Sequence, residues 1–173
     1  YLRTENLAEK SKTASDDFTI FSLAEALHVL KKQDTQADFL SITADIFSEL
    51  VQESECFLVI RDKDRQGYLP AEYRKDGLHA SFEPTFLPSA PIVAEVEWPF
   101  FDLRKTDFAK LLECPWPEMN SMRYVFPFWN HGCLEGFIAL ATKIPFLAED
   151  EGKFSALQLV ARFTAFDLGK FMK

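Results

Sequence analysis

Several features are scarce in this chain. Six glycines are scattered through 173 residues, and they form no Gly-rich loop that could cradle a phosphate. The three histidines, His28, His79 and His131, lack the spacing of metal ligands. Cysteine is limited to Cys56, Cys114 and Cys133. An odd count without paired spacing points to reduced thiols in a cytoplasmic setting, not to a disulfide framework. No apolar run approaches the ~20 residues of a membrane span, and the polar start does not read as a signal peptide. Lys and Arg number 19 against 27 Asp and Glu, a net charge of −8. The basic residues form no stripe, which argues against nucleic acid or an anionic membrane as partner. Repeats and low-complexity segments are absent too.

Aromatic residues are abundant. Eighteen Phe and three Trp lie in a chain that is 47% hydrophobic, enough for one domain with a large aromatic core. Its centre is the stretch Met122–Leu140, two apolar runs joined at Asn130-His131-Gly132. Asn and Gly tolerate the positive φ that hairpin turns need, and the runs are rich in residues that suit a pleated surface.

Before this hairpin, Ile20, Leu23, Ala24, Leu27 and Leu30 give Phe18–Lys32 helical spacing. Thr35 and Asp38 resemble a capping box. They lead into a second helix with one face marked by Phe39, Ile42, Ile46, Phe47 and Leu50. Cys56–Arg61 reads as a strand buried on both faces. Gly67–Arg74 reads as its neighbour, with Pro70 confined to an edge or a bulge. From Leu78 to Pro117 six prolines punctuate the chain. There the sequence suggests a helical turn or two over Ile92–Trp98 after Pro91, a strand at Phe100–Leu103 and a short helix at Asp107–Glu113. A long irregular segment in a compact domain is usually a lid or a binding loop. After the hairpin, Pro145 ends a strand, and Glu149, Asp150 and Glu151 favour a helix start. The last helix, to about Leu168, carries two apolar stripes. Phe154, Leu157, Val160, Ala161 and Leu168 form one; Leu159, Phe163 and Phe166 form another. A surface helix needs a single stripe, so the second requires a cover.

The order helix, two strands, irregular middle, hairpin, long helix resembles a GAF domain. The residues that carry the resemblance are Pro127-Phe128 closing one strand, Gly136 inside the next, and Phe146 and Asp150 before the last helix. It spans about residues 34–168. Residues 1–33 then form an N-terminal linker and helix that could make a dimer, and residues 169–173 a C-terminal linker. The resemblance implies an α+β fold related to PAS domains. Five or six antiparallel strands would carry the terminal helices on one face and an irregular cover over a small-molecule pocket on the other. The strands agree, since they are apolar on both faces and must be covered twice. The chain opens on Tyr1, and we expect a piece of a longer signalling protein with covalently linked domains.

The resemblance thus implies a regulatory module, not an enzyme, that senses a small cytoplasmic molecule, dimerises through its terminal helices, or both. The expected ligand-binding residues are Arg61, Phe82, Ile92, Val96, Trp98, Phe101 and Arg123: apolar walls with two cations able to hold a carboxylate or phosphate. The expected homodimer interface is Leu23, Leu27, Leu159, Phe163 and Phe166. No cofactor is evident. Thr142-Lys143 with Phe146 and Asp150-Glu151 resembles part of the signature of cyclic-nucleotide-binding GAF domains, but Thr142 replaces Asn and the spacer is shorter. Phe146 and Asp150 equally fit the general GAF pattern. The alternatives are a ligand-free dimerisation module and a thiol-based enzyme. Cys133 lies near His131, but the Cys-His pair of bilin-binding GAF domains is absent, as is the Gly-Val-Cys-Gly run of the methionine-sulfoxide reductases.

Overall fold

A computed structural model of the chain describes residues 15–105, 108, 112–142 and 151–171. Helix α1 is Ser15–Lys31 and α2 is Gln36–Leu50. The Thr35 hydroxyl accepts a hydrogen bond from the Asp38 N–H at 3.2 Å, so α2 starts at the capping residue the sequence suggests. Next come β1 (Ser54–Asp62) and β2 (Gly67–Lys75). Two-residue strands follow: β3 (Leu78–His79), β4 (Leu87–Pro88) and β5 (Phe101–Asp102). A 3₁₀ helix, Pro117–Ser121, leads into the hairpin β6 (Tyr124–Asn130) and β7 (Cys133–Thr142). Helix α3 (Glu151–Leu168) closes the chain and runs into a 3₁₀ turn at Gly169–Phe171.

All strands join one antiparallel sheet in the order β3-β2-β1-β7-β6-β5, with β4 also paired to β2. Among the described residues it has seven strands, where the sequence suggests five or six. The additions, β3 and β4, both sit in the proline-punctuated middle. Pro70 is accommodated by a bulge: Leu58 pairs with Glu72 and Val59 with Pro70, so Ala71 is the extra residue. In the hairpin, Asn130 pairs with Cys133, and the positive φ values fall on His131 (52°) and Gly132 (76°). Gly132 takes the left-handed backbone the sequence suggests, but Asn130 is a strand residue and His131, not Asn130, is the other left-handed position.

Both sheet faces are covered. Cys56, Leu58, Ile60, Phe126, Phe128, Ile138 and Leu140 face the helices, where they meet Phe39 and Phe47 of α2, Leu30 of α1, and Leu157, Val160 and Ala161 of α3. Phe57, Val59, Tyr68, Val125, Phe137 and Ala139 face the cover, where they meet Phe108, Trp116 and Met119. Burial on both sides explains why these strands read as continuous apolar runs.

The cover departs from expectation over 92–98, which is extended and bent with no helical turn. Its polar backbone is committed elsewhere. The Ile92 carbonyl accepts from the Leu134 N–H at 2.8 Å, and the Ala94 N–H donates to the Gly132 carbonyl at 2.9 Å. The segment is a strap laid against the β6–β7 turn. The expected helix at Asp107–Glu113 and the residues around Pro145, Glu149 and Asp150 lie largely outside the described residues.

Gly136 occupies a crowded site in β7. A Cβ there would sit 2.5 Å from the Val59 carbonyl oxygen and 3.1 Å from the Phe128 ring. Gly136→Ala is expected to cost about 1–3 kcal/mol by overpacking, and to lower the melting temperature by roughly 2–4 °C per kcal/mol. Thermal denaturation followed by circular dichroism checks it. An unchanged melting curve would mean the strands can part there at no cost.

Candidate functional site

The cover side is packed with rings. Phe57 meets Tyr73 at 5.7 Å, Trp116 at 6.1 Å and Phe82 at 6.2 Å between ring centres. Phe137 meets Phe108 at 5.2 Å and Trp116 at 6.4 Å, and Phe101 meets Phe108 at 5.0 Å. The Trp116 indole N–H donates to the Thr85 carbonyl at 2.7 Å, which satisfies its one polar atom. Tyr68 is buried, and its hydroxyl donates to the Leu134 carbonyl at 2.9 Å and accepts from the Ile92 N–H at 3.3 Å. Burial raises its pKa, so the phenol stays neutral and serves as a tie between β2, β7 and the strap.

The seven residues expected to bind a ligand are distributed as follows. Phe82, Ile92 and Phe101 pack into this aromatic cluster. Val96 and Trp98 lie on the surface, 54% and 57% exposed. Arg61 reaches Glu135 with both ends of its guanidinium, Nε to Oε2 at 3.0 Å and the terminal nitrogen to Oε1 at 3.4 Å. Glu135 is the extra residue of a second bulge, because Phe128 pairs with Gly136 and Trp129 with Leu134. Its buried carboxylate thereby finds the cation it requires. Arg123 stacks on the Tyr124 ring, 4.9 Å from its centre, with Asp102 3.9 Å away at the sheet edge.

All three thiols are shifted toward the protonated form. Burial pushes Cys56 and Cys114 up to about 11 and also raises Cys133, so at neutral pH they stay protonated and weakly nucleophilic. Among the described residues no group of three His, Cys, Asp or Glu is placed to hold a metal ion, and no helix is long and apolar enough to cross a membrane.

No protein-family model matches the sequence, and no curated protein does. Solved structures do match. The GAF domain of an Acinetobacter phosphoenolpyruvate-protein phosphotransferase superposes on 88% of this chain and 93% of its own length, with a TM-score of 0.58 and 16% identity. The chain has the GAF fold. The chromophore-binding domain of the bacteriophytochrome RpBphP3 from R. palustris superposes on 94% of this chain with a TM-score of 0.61 and 12% identity. A second RpBphP3 structure covers 90% with a TM-score of 0.58 and 13% identity. The chain spans 63% and 37% of those two bacteriophytochrome chains.

On this GAF fold an open cleft of about 400 Å³ lies on the helical side, at the end of the β1–β2 turn. It is lined by Gln36, Ile60, Arg61, Lys63, Leu69 and Phe171, with Asp62 and Asp64 at the turn. Of the expected ligand residues only Arg61 borders it. Phe171 belongs to the turn that prolongs α3, and its ring packs on Phe39 at 5.3 Å. Beside it, the Lys170 ammonium donates to the Lys31 carbonyl at 2.9 Å. The C-terminal ends of α1 and α3 therefore lie together.

The terminal helices separate the expected interface residues into two sets. Leu23 is buried and Leu27 half-buried against the intramolecular core. On α3, Leu157, Val160, Ala161, Thr164 and Leu168 face inward. Phe166 is 85% exposed and Leu159 49%, with Phe163 half-buried beside them. The sequence reading overlooked one cluster. Arg74, 2% exposed, is held by Asp45, by Glu72 at 3.0 Å, and by the Ser41 hydroxyl at 2.9 Å, bolting α2 to β2.

Proposed function

We propose that this chain is a regulatory module of a signalling protein that acts by self-association through its terminal helices. The GAF fold supports a regulatory role over a catalytic one, and the upward shift of all three thiol pKa values supports the same choice. The observation that carries the reading is the second stripe of α3. A phenylalanine 85% exposed, with Leu159 and Phe163 on the same helix, is costly to leave in water. Val29 of α1, 47% exposed, adds to it at the end where α1 and α3 meet. Helix α3 is about 27 Å long for its 18 residues. In a two-fold pair a second copy supplies the same stripe in return. The test is sedimentation equilibrium of the purified chain in the micromolar range. A dimer is expected, and a monomer at every concentration overturns the reading.

Ligand sensing is the second reading, favoured by the cleft beside Phe171. Its volume falls within the roughly 300–1,000 Å³ of small-molecule sites, and its wall includes the end of α3, so occupancy would bear on the same helix. A panel of cyclic nucleotides, nucleotides and polar metabolites should then include one that raises the melting temperature of the native chain and fails to do so after Lys63→Ala with Phe171→Ala. A panel without any shift would remove this reading.

A further inference from the structure

The strap over 92–98 presents a surface that self-association through α3 leaves unused. Seven large hydrophobic side chains are exposed among the described residues, and three belong to this segment: Val93 at 73%, Trp98 at 57% and Val96 at 54%. They are held in place. Val93 bridges to Cys133, and the Trp129 indole N–H donates to the Trp98 carbonyl at 2.8 Å. The Gly132 N–H donates to a Glu97 carboxylate oxygen at 2.8 Å, and the Trp98 N–H donates to the Val96 carbonyl at 3.1 Å. With the bonds of Ile92 and Ala94 to the hairpin, the strap is a fixed display of apolar groups.

Charge identifies the occupant. From Asp76 to Leu103 the chain contains no Lys or Arg and five acids, Asp76, Glu83, Glu95, Glu97 and Asp102. Two of them, Glu95 and Glu97, are exposed and alternate with the strap's apolar residues. Arg61, on the strand end nearby, is already paired with Glu135. Lys63 reaches Cys133 electrostatically from the β1–β2 turn, but the charges within the strap itself are both acidic, and an apolar surface interleaved with one sign of charge favours a partner of the opposite sign. Exposed Trp is among the residues most enriched in binding anchors. The net charge of −8 adds long-range attraction for the same class of partner.

We propose that the strap is a docking surface for a cationic amphipathic segment of a partner protein, with Val93, Val96 and Trp98 meeting its apolar face and Glu95 and Glu97 its basic residues. This surface lies on the cover side, away from α3, and does not depend on the self-association proposed above.

The test titrates the full chain into a fluorescein-labelled amphipathic peptide of Leu and Lys, followed by anisotropy, beside a Leu and Glu peptide of the same pattern. The Lys peptide should bind and the Glu peptide should not. Trp98→Ala and Glu95→Lys should each weaken binding at least ~10-fold, the range that loss of one hot-spot side chain or reversal of a facing charge produces. Phe166→Glu should leave it unchanged. Both strap positions are exposed, and near-ultraviolet circular dichroism verifies that these variants fold. Failure of the Lys peptide to bind, binding indifferent to Trp98→Ala and Glu95→Lys, or loss with Phe166→Glu instead, overturns the proposal. So does a blue shift of tryptophan emission with phosphatidylcholine vesicles and none with the peptide, which would make the strap a lipid contact.

Discussion

Phe166→Glu is expected to convert a dimer of this chain into a monomer. The side chain is 85% exposed in the protomer, so its loss removes little from the folded subunit. In a two-fold pair it is buried twice. Burying an aromatic ring contributes about 1.5–3 kcal/mol, so two contribute roughly 3–6 kcal/mol. That weakens the dissociation constant by roughly 10²–10⁴, before the repulsion of two facing carboxylates is counted. Sedimentation equilibrium of wild type and variant at the same concentrations measures it, and an unaltered melting curve of the diluted protein shows that the subunit is intact. Association as tight as that of the wild type would remove α3 from the interface.

The second large effect concerns Arg74. Burial alone would discourage its charge, but the hydrogen bonds it donates to Asp45 and Glu72 outweigh burial and hold the guanidinium firmly cationic. Removing both carboxylates, Asp45→Ala with Glu72→Ala, strands a cation that is 2% exposed. Asp45 is itself 46% exposed and the Ser41 hydroxyl stays as a partner, so the cost is expected at about 3 kcal/mol, the low end for a broken buried pair, a fall in melting temperature of roughly 6–12 °C. Replacing the pair by apolar residues, Arg74→Met with Glu72→Leu, should be neutral or stabilising, because no charge is left buried. Urea unfolding of the two double variants provides the comparison. Equal destabilisation of both would mean that the contact between α2 and β2 depends on the shape of Arg74 and not on its charge.

Much of the fold was legible because the information is local. The continuous apolar, β-branched run of Cys56–Arg61, the turn residues Asn130 to Gly132, and Thr35 three residues before Asp38 each define structure through neighbours in the chain. The two stripes of α3 were legible for the same reason: helical periodicity assigns Leu157 and Leu159 to different faces whatever surrounds them. The strap was not legible. Pro91 at the head of an apolar segment resembles a helix start, yet the Ile92 carbonyl and the Ala94 N–H find partners some forty residues away in the hairpin, and local pattern carries no trace of that. The Arg74 cluster was hidden likewise, since Asp45 and Ser41 lie on a different element. Whether aromatic residues line a pocket or fill it depends on the volume between sheet and cover, which residue type does not reveal. Phe82 and Phe101 read equally well as walls or as filling, and the structure packs both into the core.

Adjacent residues Phe100 and Phe101 connect the two halves of the interior. Phe100 turns to the helices, its ring 4.5 Å from Phe154 of α3, while Phe101 turns to the cover and meets Phe108. A single peptide bond at the sheet margin thus joins the two layers, so a change at either ring bears on the packing of both faces of the sheet.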